Sequence, residues 1–136
     1  MTALLHISPL VLESNPSSIS LVEPYLAEIA KSCRMEEEKY GSMLVVLTEA
    51  VTNAIVHGNK ACGSKKVTVK AKFSCNTLTF CIQDQGNGFD PNQVPDPTQG
   101  EQLCMCGGRG VYIIKQLADY VRFGKSGREV KISFNL

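Results

Sequence analysis

The stretch Met43–His57 is almost entirely apolar, yet it carries Glu49 and Asn53 four positions apart. Residues at i and i+4 lie on the same face of a helix, so the carboxylate and the amide share one stripe. The neighbouring Leu, Val, Ile, Ala and Met side chains predict that this helix is largely buried. Buried polar groups need partners, and a carboxylate beside a neutral oxygen donor suits a Mg²⁺-nucleotide. We therefore expect this face to contribute to a ligand site.

The composition is that of an ordinary globular chain. Of the 136 residues, 43% are hydrophobic and 20% are charged, and 14 Lys and Arg balance 13 Asp and Glu to a net charge of +1. This length predicts one domain over residues 1–136. The near-neutral balance provides no basic field for nucleic acid, and the apolar runs are too short for a membrane span. Because the N-terminus lacks the basic region of a signal peptide, we expect a cytoplasmic protein without a membrane or nucleic-acid partner.

Six cysteines raise the question of disulfides or a metal site: Cys33, Cys62, Cys75, Cys81, Cys104 and Cys106. Nothing in the N-terminal sequence indicates secretion, so structural disulfides are not expected. Cys104 and Cys106 form a lone C-x-C pair, without the second pair that a four-ligand zinc site needs. We expect reduced thiols, and we assign no role to Cys104 or Cys106.

Hydrophobic periodicity predicts the elements of the first half. Residues 2–7 alternate weakly and predict an edge strand. A turn over residues 14–18 predicts a helix capped at Ser17 or Ser18 and running to Ser32. Its expected apolar side consists of Leu21, Tyr25, Leu26, Ile29 and Ala30. The next helix follows the acidic run at residues 36–38, whose charges suit the positive end of the helix dipole, and it ends at Gly58 as a C′ residue.

The second half predicts four more strands and a helix. Alternation over residues 66–73 and 77–84 predicts a hairpin with a turn at residues 74–76. A helix from Gly110 to Ala118 is expected to turn Val111, Ile114, Leu117 and Ala118 inward. Strands at residues 120–123 and 129–134 close the chain. This order predicts an α+β fold, a two-layer α/β sandwich whose mixed, mostly antiparallel sheet is covered by helices on one face.

Asp84 follows a predicted strand and enters a glycine-rich turn containing Gly86 and Gly88. A carboxylate there can accept a hydrogen bond from an exocyclic amine such as that of adenine. Glycines without a Cβ let the backbone approach a ring closely or adopt positive φ. An ordinary turn after a strand explains the same residues equally well, because Asp and Gly are favoured in turns.

A second glycine-rich segment, containing Gly107, Gly108 and Gly110, opens the predicted third helix. Free N–H groups and the dipole at a helix N-terminus bind phosphate, and Arg109 and Lys115 could add positive charge. A flexible, glycine-capped linker is the alternative. The segment is neither a P-loop nor a dinucleotide fingerprint, since the spacing and the preceding strand are missing. The preceding residues 85–107 contain Pro91, Pro95 and Pro97 and lack periodicity, which is typical of a functional lid or of disorder.

The order of these segments resembles a known superfamily. Thr48–Gly58 is similar to the N-box of the GHKL (Bergerat-fold) ATPases and kinases, Asp84–Gly88 to the G1 box and Gly108–Gly110 to the G2 box. The chain length and the sequence around Glu49 resemble the bacterial anti-sigma factor serine/threonine kinases, over about residues 10–134. The resemblance implies one GHKL ATP-binding kinase domain.

The resemblance also implies roles for the matching positions. Asn53 would bind Mg²⁺, and Glu49 would be the general base or orient the attacking hydroxyl. Asp84 would bind the adenine amine of ATP. The glycines of the two boxes, with Arg109, would complete the nucleotide site: Gly86 and Gly88 on the adenine side, Gly108 and Gly110 at the phosphates. Residues 91–107 would form the ATP lid.

Two features depart from the family pattern. Ser126–Arg128 stands where the family often has Gly-Thr-Thr, which weakens one expected contact to adenine. The phosphoacceptor helices of histidine kinases are missing, so we interpret His57 as a residue that the helix dipole favours at the C-terminal end of its helix.

The resemblance implies an ATP-dependent anti-sigma regulatory factor that phosphorylates a STAS-type anti-anti-sigma protein. It also implies a possible sigma-factor partner and a homodimer. The alternative is an ATP-dependent partner-binding switch without significant kinase activity. Retention of Glu49 favours the kinase, because a pure binder has no chemical need for that carboxylate. A fragment of a larger sensor kinase is a third interpretation, which the start at Met1 speaks against. The sigma factor, the acceptor protein and the stimulus are not encoded in any motif of the chain.

Overall fold

The computed structural model describes residues 7–86 and 108–136. Its strands form one five-stranded sheet in the order β1-β2-β3-β5-β4. The strands are β1 Leu10–Glu13, β2 Lys66–Ser74, β3 Thr77–Gln83, β4 Tyr120–Gly124 and β5 Glu129–Asn135. The α-helices are α1 Val22–Cys33, α2 Glu37–Thr52 and α3 Gly108–Leu117. A π-helix, Asn53–Gly58, continues α2, and 3₁₀ turns occupy Pro16–Leu21 and Lys125–Gly127.

Each pair of neighbouring strands in this sheet is antiparallel. The mostly antiparallel sheet is therefore confirmed, and no parallel pair occurs among the residues that the structure describes. The β2–β3 hairpin turns at Cys75 and Asn76, whose φ angles are 53° and 62°. Two consecutive left-handed residues match the right-handed twist of the flanking strands, which fixes the register that the sequence predicts.

One face of the sheet and the helices form the core. Alternate residues of β3 and β5 are fully or nearly fully buried: Leu78, Phe80, Ile82, Val130, Ile132 and Phe134. The rings of Phe80 and Phe134 pack edge to face, with centroids 6.5 Å apart. Buried side chains from the helices complete the cluster, including Leu26 of α1, Val46 and Leu47 of α2 and Ile114 of α3. The opposite face of the sheet is polar, so the two-layer sandwich is confirmed.

One local prediction about the N-terminal half is wrong, and another falls mostly on residues that the structure does not describe. The edge strand is Leu10–Glu13; the predicted strand at residues 2–7 lies outside the described residues except for Ile7, which belongs to no strand. The first helical segment is capped by Asn15, whose side chain accepts a hydrogen bond from the Ser17 N–H at 3.1 Å. Asn is as good an N-cap as Ser, and here it precedes Pro16 at the first helical position.

Two leucines expected inside are exposed. Leu21 is 49% exposed because it ends the 3₁₀ turn, where a three-residue period rotates it away from the α1 stripe. Leu117 is 42% exposed at the last residue of α3. None of the helices in residues 7–86 and 108–136 combines the length and apolar content needed to cross a bilayer.

Candidate functional site

Helix α2 changes to a π-helix at Asn53, one turn after Glu49. The Thr52 hydroxyl donates to the Thr48 carbonyl at 2.6 Å, immediately before the change. Such back-bonding disturbs the regular ladder of a helix, and π turns recur at functional sites. Both Glu49 and Asn53 are partly buried, as expected for polar side chains at the rim of a core.

Gly110, in the first turn of α3, lies directly against these two side chains. A Cβ built on Gly110 would be 2.9 Å from Glu49 Oε2 and 2.9 Å from Asn53 Nδ2. The third helix therefore begins at the polar stripe of α2, and a side chain at position 110 would displace Glu49 and Asn53 from their observed positions. The sequence predicted a glycine-rich helix start, and the structure adds that glycine at position 110 lets α3 approach these two side chains closely.

Asp84 lies just after β3, next to the end of the π-helix. Its backbone N–H donates to the Arg128 carbonyl at 2.9 Å, which fixes its position beside β5. Its Oδ1 accepts from the Gly86 N–H at 2.8 Å, and a Cβ on Gly58 would lie 2.5 Å from its Oδ2. A Cβ on Gly86 would overlap the carbonyl oxygen of Gly58. The two glycines allow the π-helix and the Asp84 turn to touch.

Positive φ does not account for either glycine. Neither Gly58 nor Gly86 has positive φ; the left-handed residues just after the π-helix are Lys60 and Ala61, at 52° and 55°. The close approach of Gly86 to a bound ring stays a prediction. Gly58 is the last residue of the π-helix rather than a left-handed C′ residue, and close packing against Asp84 accounts for it. His57 lies in the last turn of that π-helix, as expected.

Burial raises the pKa of the Asp84 carboxyl above its ordinary value. The hydrogen bond from Gly86 and the positive charges of Arg128 and Lys65 act in the opposite direction but do not cancel the effect. A partly desolvated carboxylate beside the end of the π-helix is a strong hydrogen-bond acceptor, because less water competes for it.

Asn59 is a residue of this region that sequence reasoning missed. It is 1% exposed and satisfies both ends of its amide. Its Nδ2 donates to Ser14 Oγ at 2.8 Å and to the Lys66 carbonyl at 3.1 Å, and its Oδ1 accepts from the Gln85 N–H at 2.7 Å. Asn59 thus joins the ends of β1, β2 and β3 immediately behind Asp84. The polar residue directly after Gly58 was the only sequence signal.

Ser14 and Gln85 extend this network. The Ser14 hydroxyl, fully buried, donates to the Lys65 carbonyl at 2.8 Å, and the Gln85 Oε1 accepts from the Lys66 N–H at 2.6 Å. All of these bonds except that from Asn59 to Lys66 link residues at least 19 positions apart, so the network holds the Asp84 turn in one position.

The other predicted site residues are placed only in part. Gly108 and Arg109 open α3, whereas Gly88, the expected lid at residues 91–107, Cys104 and Cys106 lie outside the described residues. The Lys115 ammonium lies over the Phe123 ring, 5.7 Å from its centroid, so its charge faces β4 rather than the start of α3. Cys33, Cys62, Cys75 and Cys81 are free thiols, as expected.

The donor set fits a nucleotide with Mg²⁺ better than a metal held by protein alone. No group of three or more His, Cys, Asp or Glu side chains converges in the part of the chain that the structure describes. Mg²⁺ in nucleotide sites is held by one or two protein oxygens together with phosphates, and Glu49 and Asn53 offer such oxygens beside a helix start. The space that a Cβ of residue 110 would fill lies between these groups.

Comparison with known families agrees with this arrangement. The sequence profile described as the histidine kinase-like ATPase domain matches residues 12–134. The chain belongs to this family. The match extends from β1 to β5, so it includes every segment that contributes to the site.

Several curated proteins are similar to this family member. The serine-protein kinase RsbW of Bacillus licheniformis is 27% identical over 119 residues, covering 80% of this chain and 72% of the relative. The protein of the same name from Listeria monocytogenes is 26% identical over 119 residues, covering 83% and 76%. That of Bacillus subtilis is 23% identical over 115 residues, covering 80% and 72%.

Proposed function

We propose that this chain is an ATP-dependent anti-sigma regulatory factor with protein serine/threonine kinase activity. The observation that carries the proposal is the close approach of Gly110 to Glu49 and Asn53. It joins a helix N-terminus, which suits phosphate, to the carboxylate and amide that suit Mg²⁺ and a base. Membership of the histidine kinase-like ATPase family and similarity to serine-protein kinases support the same activity.

In this proposal the Asp84 side of the site binds the adenine of ATP, and the start of α3 binds its phosphates. Asp84, with Gly86 behind it, accepts the adenine amine; Gly88 is assigned to the same side by the G1 box. Gly108, Arg109 and Gly110 face the phosphates, and Asn53 supplies an oxygen to Mg²⁺. When bound, Mg²⁺ neutralises phosphate charge during transfer of the terminal phosphoryl group.

Glu49 has the role of general base, or of orienting the attacking hydroxyl. A hydroxyl acceptor loses its proton as it attacks phosphorus, and a carboxylate next to the phosphates can accept it. The acceptor is therefore a serine or threonine on another molecule. The relatives are named serine-protein kinases, which supports a hydroxyl acceptor. We assign the acceptor to a STAS-type anti-anti-sigma protein, with a sigma factor as a further partner, as the resemblance to anti-sigma factor kinases implies.

The decisive experiment incubates the chain and labelled ATP with a STAS protein encoded beside it. We expect an acid-stable phosphoester on the STAS protein. Glu49→Gln should keep ATP binding but slow transfer by about 10²–10⁴-fold, because it preserves shape and removes the base. Asn53→Ala should weaken Mg²⁺-dependent binding itself. Label that appears only on this chain and is lost in acid would contradict the proposal.

The second candidate is an ATP-dependent switch that binds its partner without significant kinase activity. It shares the nucleotide site, so calorimetry alone does not distinguish the two. Tight Mg²⁺-ATP binding without transfer to any STAS protein, and equal partner binding by Glu49→Gln and the wild type, would select the switch. Absence of ATP affinity in the wild type would reject both.

A further inference from the structure

The outer face of the sheet, defined as the side chains that point away from the helices, carries an unbalanced row of positive charge. Register pairs Lys70 with Cys81, Cys81 with Lys131, and Lys131 with Arg122. Four neighbouring strands thus contribute three cations to one row, and Lys72 adds a fourth two residues along β2. All four cations are exposed.

The acidic side chains on this face are already engaged. Glu13 pairs with Lys66 at 3.5 Å, and Glu129 pairs with Lys125 at 3.5 Å and accepts a hydrogen bond from the Gln83 amide. Within residues 7–86 and 108–136, no ion pair involves any of the four exposed cations. Their charge is therefore available to a partner.

The row of cations destabilises the fold through repulsion between like charges, and folding of the chain alone does not require it. Arg122 and Lys131 lie directly opposite each other on antiparallel strands, and like charges in that position repel. Beside them is an open depression of about 600 Å³ on the same face. Its lining includes Lys70, Lys72, Thr77, Thr79, Cys81 and Lys131. A concave surface lined by three lysines that form no ion pair among the described residues is complementary to carboxylates.

We propose that this outer face docks an acidic segment of a partner protein. Lys70 and Lys72 are alternate residues of one strand, so they lie about 6.5–7 Å apart. Acidic residues at alternate positions of an extended segment have the same spacing. Lys131 and Arg122 can receive further carboxylates across the sheet. This surface lies on the side of the sheet opposite the helices that hold the proposed ATP site, and the inference does not depend on that site.

Charge distinguishes this partner from other occupants. A second copy seated on the face would bring the same cations together across a two-fold axis. A long polyanion such as DNA would extend beyond the patch, onto a chain whose 13 acidic residues nearly cancel its 14 basic ones. A short acidic protein segment is small enough to contact the row of cations without extending beyond it.

The test titrates a ten-residue poly-glutamate peptide into the full chain at low salt and follows backbone amide shifts by NMR. We expect the largest shifts at β2, β3, β5 and β4 around Lys70, Cys81, Lys131 and Arg122. The double variant Lys70→Gln with Lys131→Gln should lose affinity by about 5–30-fold. The matched control, Lys31→Gln with Lys60→Gln, removes two exposed cations elsewhere and should change affinity less than about twofold.

A second measurement needs no ligand. Arg122→Gln relieves the repulsion from Lys131, so the melting temperature should rise by about 1–4 °C at low salt, and the gain should shrink at high salt. Peptide shifts confined to other surfaces, or an unchanged melting temperature, would overturn the proposal. So would tighter binding of single-stranded DNA or phosphatidylglycerol vesicles to the same row, or a dimer that buries it.

Discussion

In the proposed function, Asp84 is the residue on which recognition of the adenine base depends. Asp84→Asn keeps an acceptor for the Gly86 N–H but loses the ionised acceptor for an adenine amine. A hydrogen bond to a charged group contributes about 1.5–3 kcal/mol, so ATP affinity should fall by about 10–100-fold in calorimetry. Asp119→Asn is the control, because Asp119 bonds the Asn135 N–H at the opposite end of the sheet. Equal losses in both variants would contradict the assignment of Asp84.

The same carboxyl makes stability depend on pH. Burial raises the pKa of folded Asp84, while the unfolded chain keeps the ordinary value. As pH rises through this window, the unfolded state releases its proton first, so the folded state loses stability relative to it. The stability that depends on protonation of Asp84 is fully present below the pKa of the unfolded chain and is lost above the pKa of the folded protein.

The amide introduced by Asp84→Asn cannot titrate, so this variant does not lose this stability as pH rises. The difference obtained by subtracting the wild-type free energy of unfolding from that of the variant should therefore be larger at about pH 7 than at about pH 3.5. Urea denaturation at the two pH values measures this difference. If the stabilities of the variant and the wild type change in parallel between the two pH values, burial does not shift the pKa of Asp84.

At the scale of elements, a substitution at the contact between α2 and the start of α3 should affect nucleotide binding and thermal stability differently. Gly110→Ala places a methyl group about 3 Å from Glu49 and Asn53, whose side chains must move. Alanine also favours a helix by up to about 1 kcal/mol over glycine. We therefore expect weaker Mg²⁺-ATP binding with unchanged or higher thermal stability. Gly41→Ala in α2, where nothing lies within 4 Å, should raise stability without affecting ATP.

The Asn59 network joins three strand ends, and its loss should affect the whole fold. Asn59→Ala leaves the Gln85 N–H and the Lys66 carbonyl without this partner, and because both groups are only partly buried each should cost about 1–2 kcal/mol. Unfolding by urea should show a loss of about 2–4 kcal/mol. Ser14→Ala should cost less, and the double variant should cost less than the sum, because the two side chains share one bond. Strict additivity would contradict the network.

For the whole molecule, family resemblance implies a homodimer, and our own prediction for its interface is the sheet face or the N-terminal strand. The cations on the outer face disfavour self-association there, whereas within residues 7–86 and 108–136 β1 pairs only with β2 and its other edge has no partner strand. We expect a dimer of about twice the 14.8 kDa chain mass in light scattering at micromolar concentration. A single species at the chain mass under those conditions would reject the dimer.

Several elements followed from local pattern alone. Alternation identified β2 and β3, and the short closing runs identified β4 and β5, each within a residue or two of the observed bounds. β2 and β3 alternate because one face of each strand is more deeply buried than the other. The apolar stretch with Glu49 and Asn53 identified α2, and the glycines before Val111 identified the start of α3. Periodicity and turn chemistry are properties of neighbouring residues, so the sequence carries them directly.

The tertiary structure decided how those elements meet. The π-helix at Asn53–Gly58, the contact of Gly110 with Glu49, and the fit of Gly58 against Asp84 all depend on segments far apart in the chain. Asn59 is buried because three strand ends converge on it, and the periodicity of the sequence does not predict that convergence. The sequence determined which polar and glycine residues were available; long-range packing determined which of them touch, since close approach is a property of two surfaces rather than of either segment.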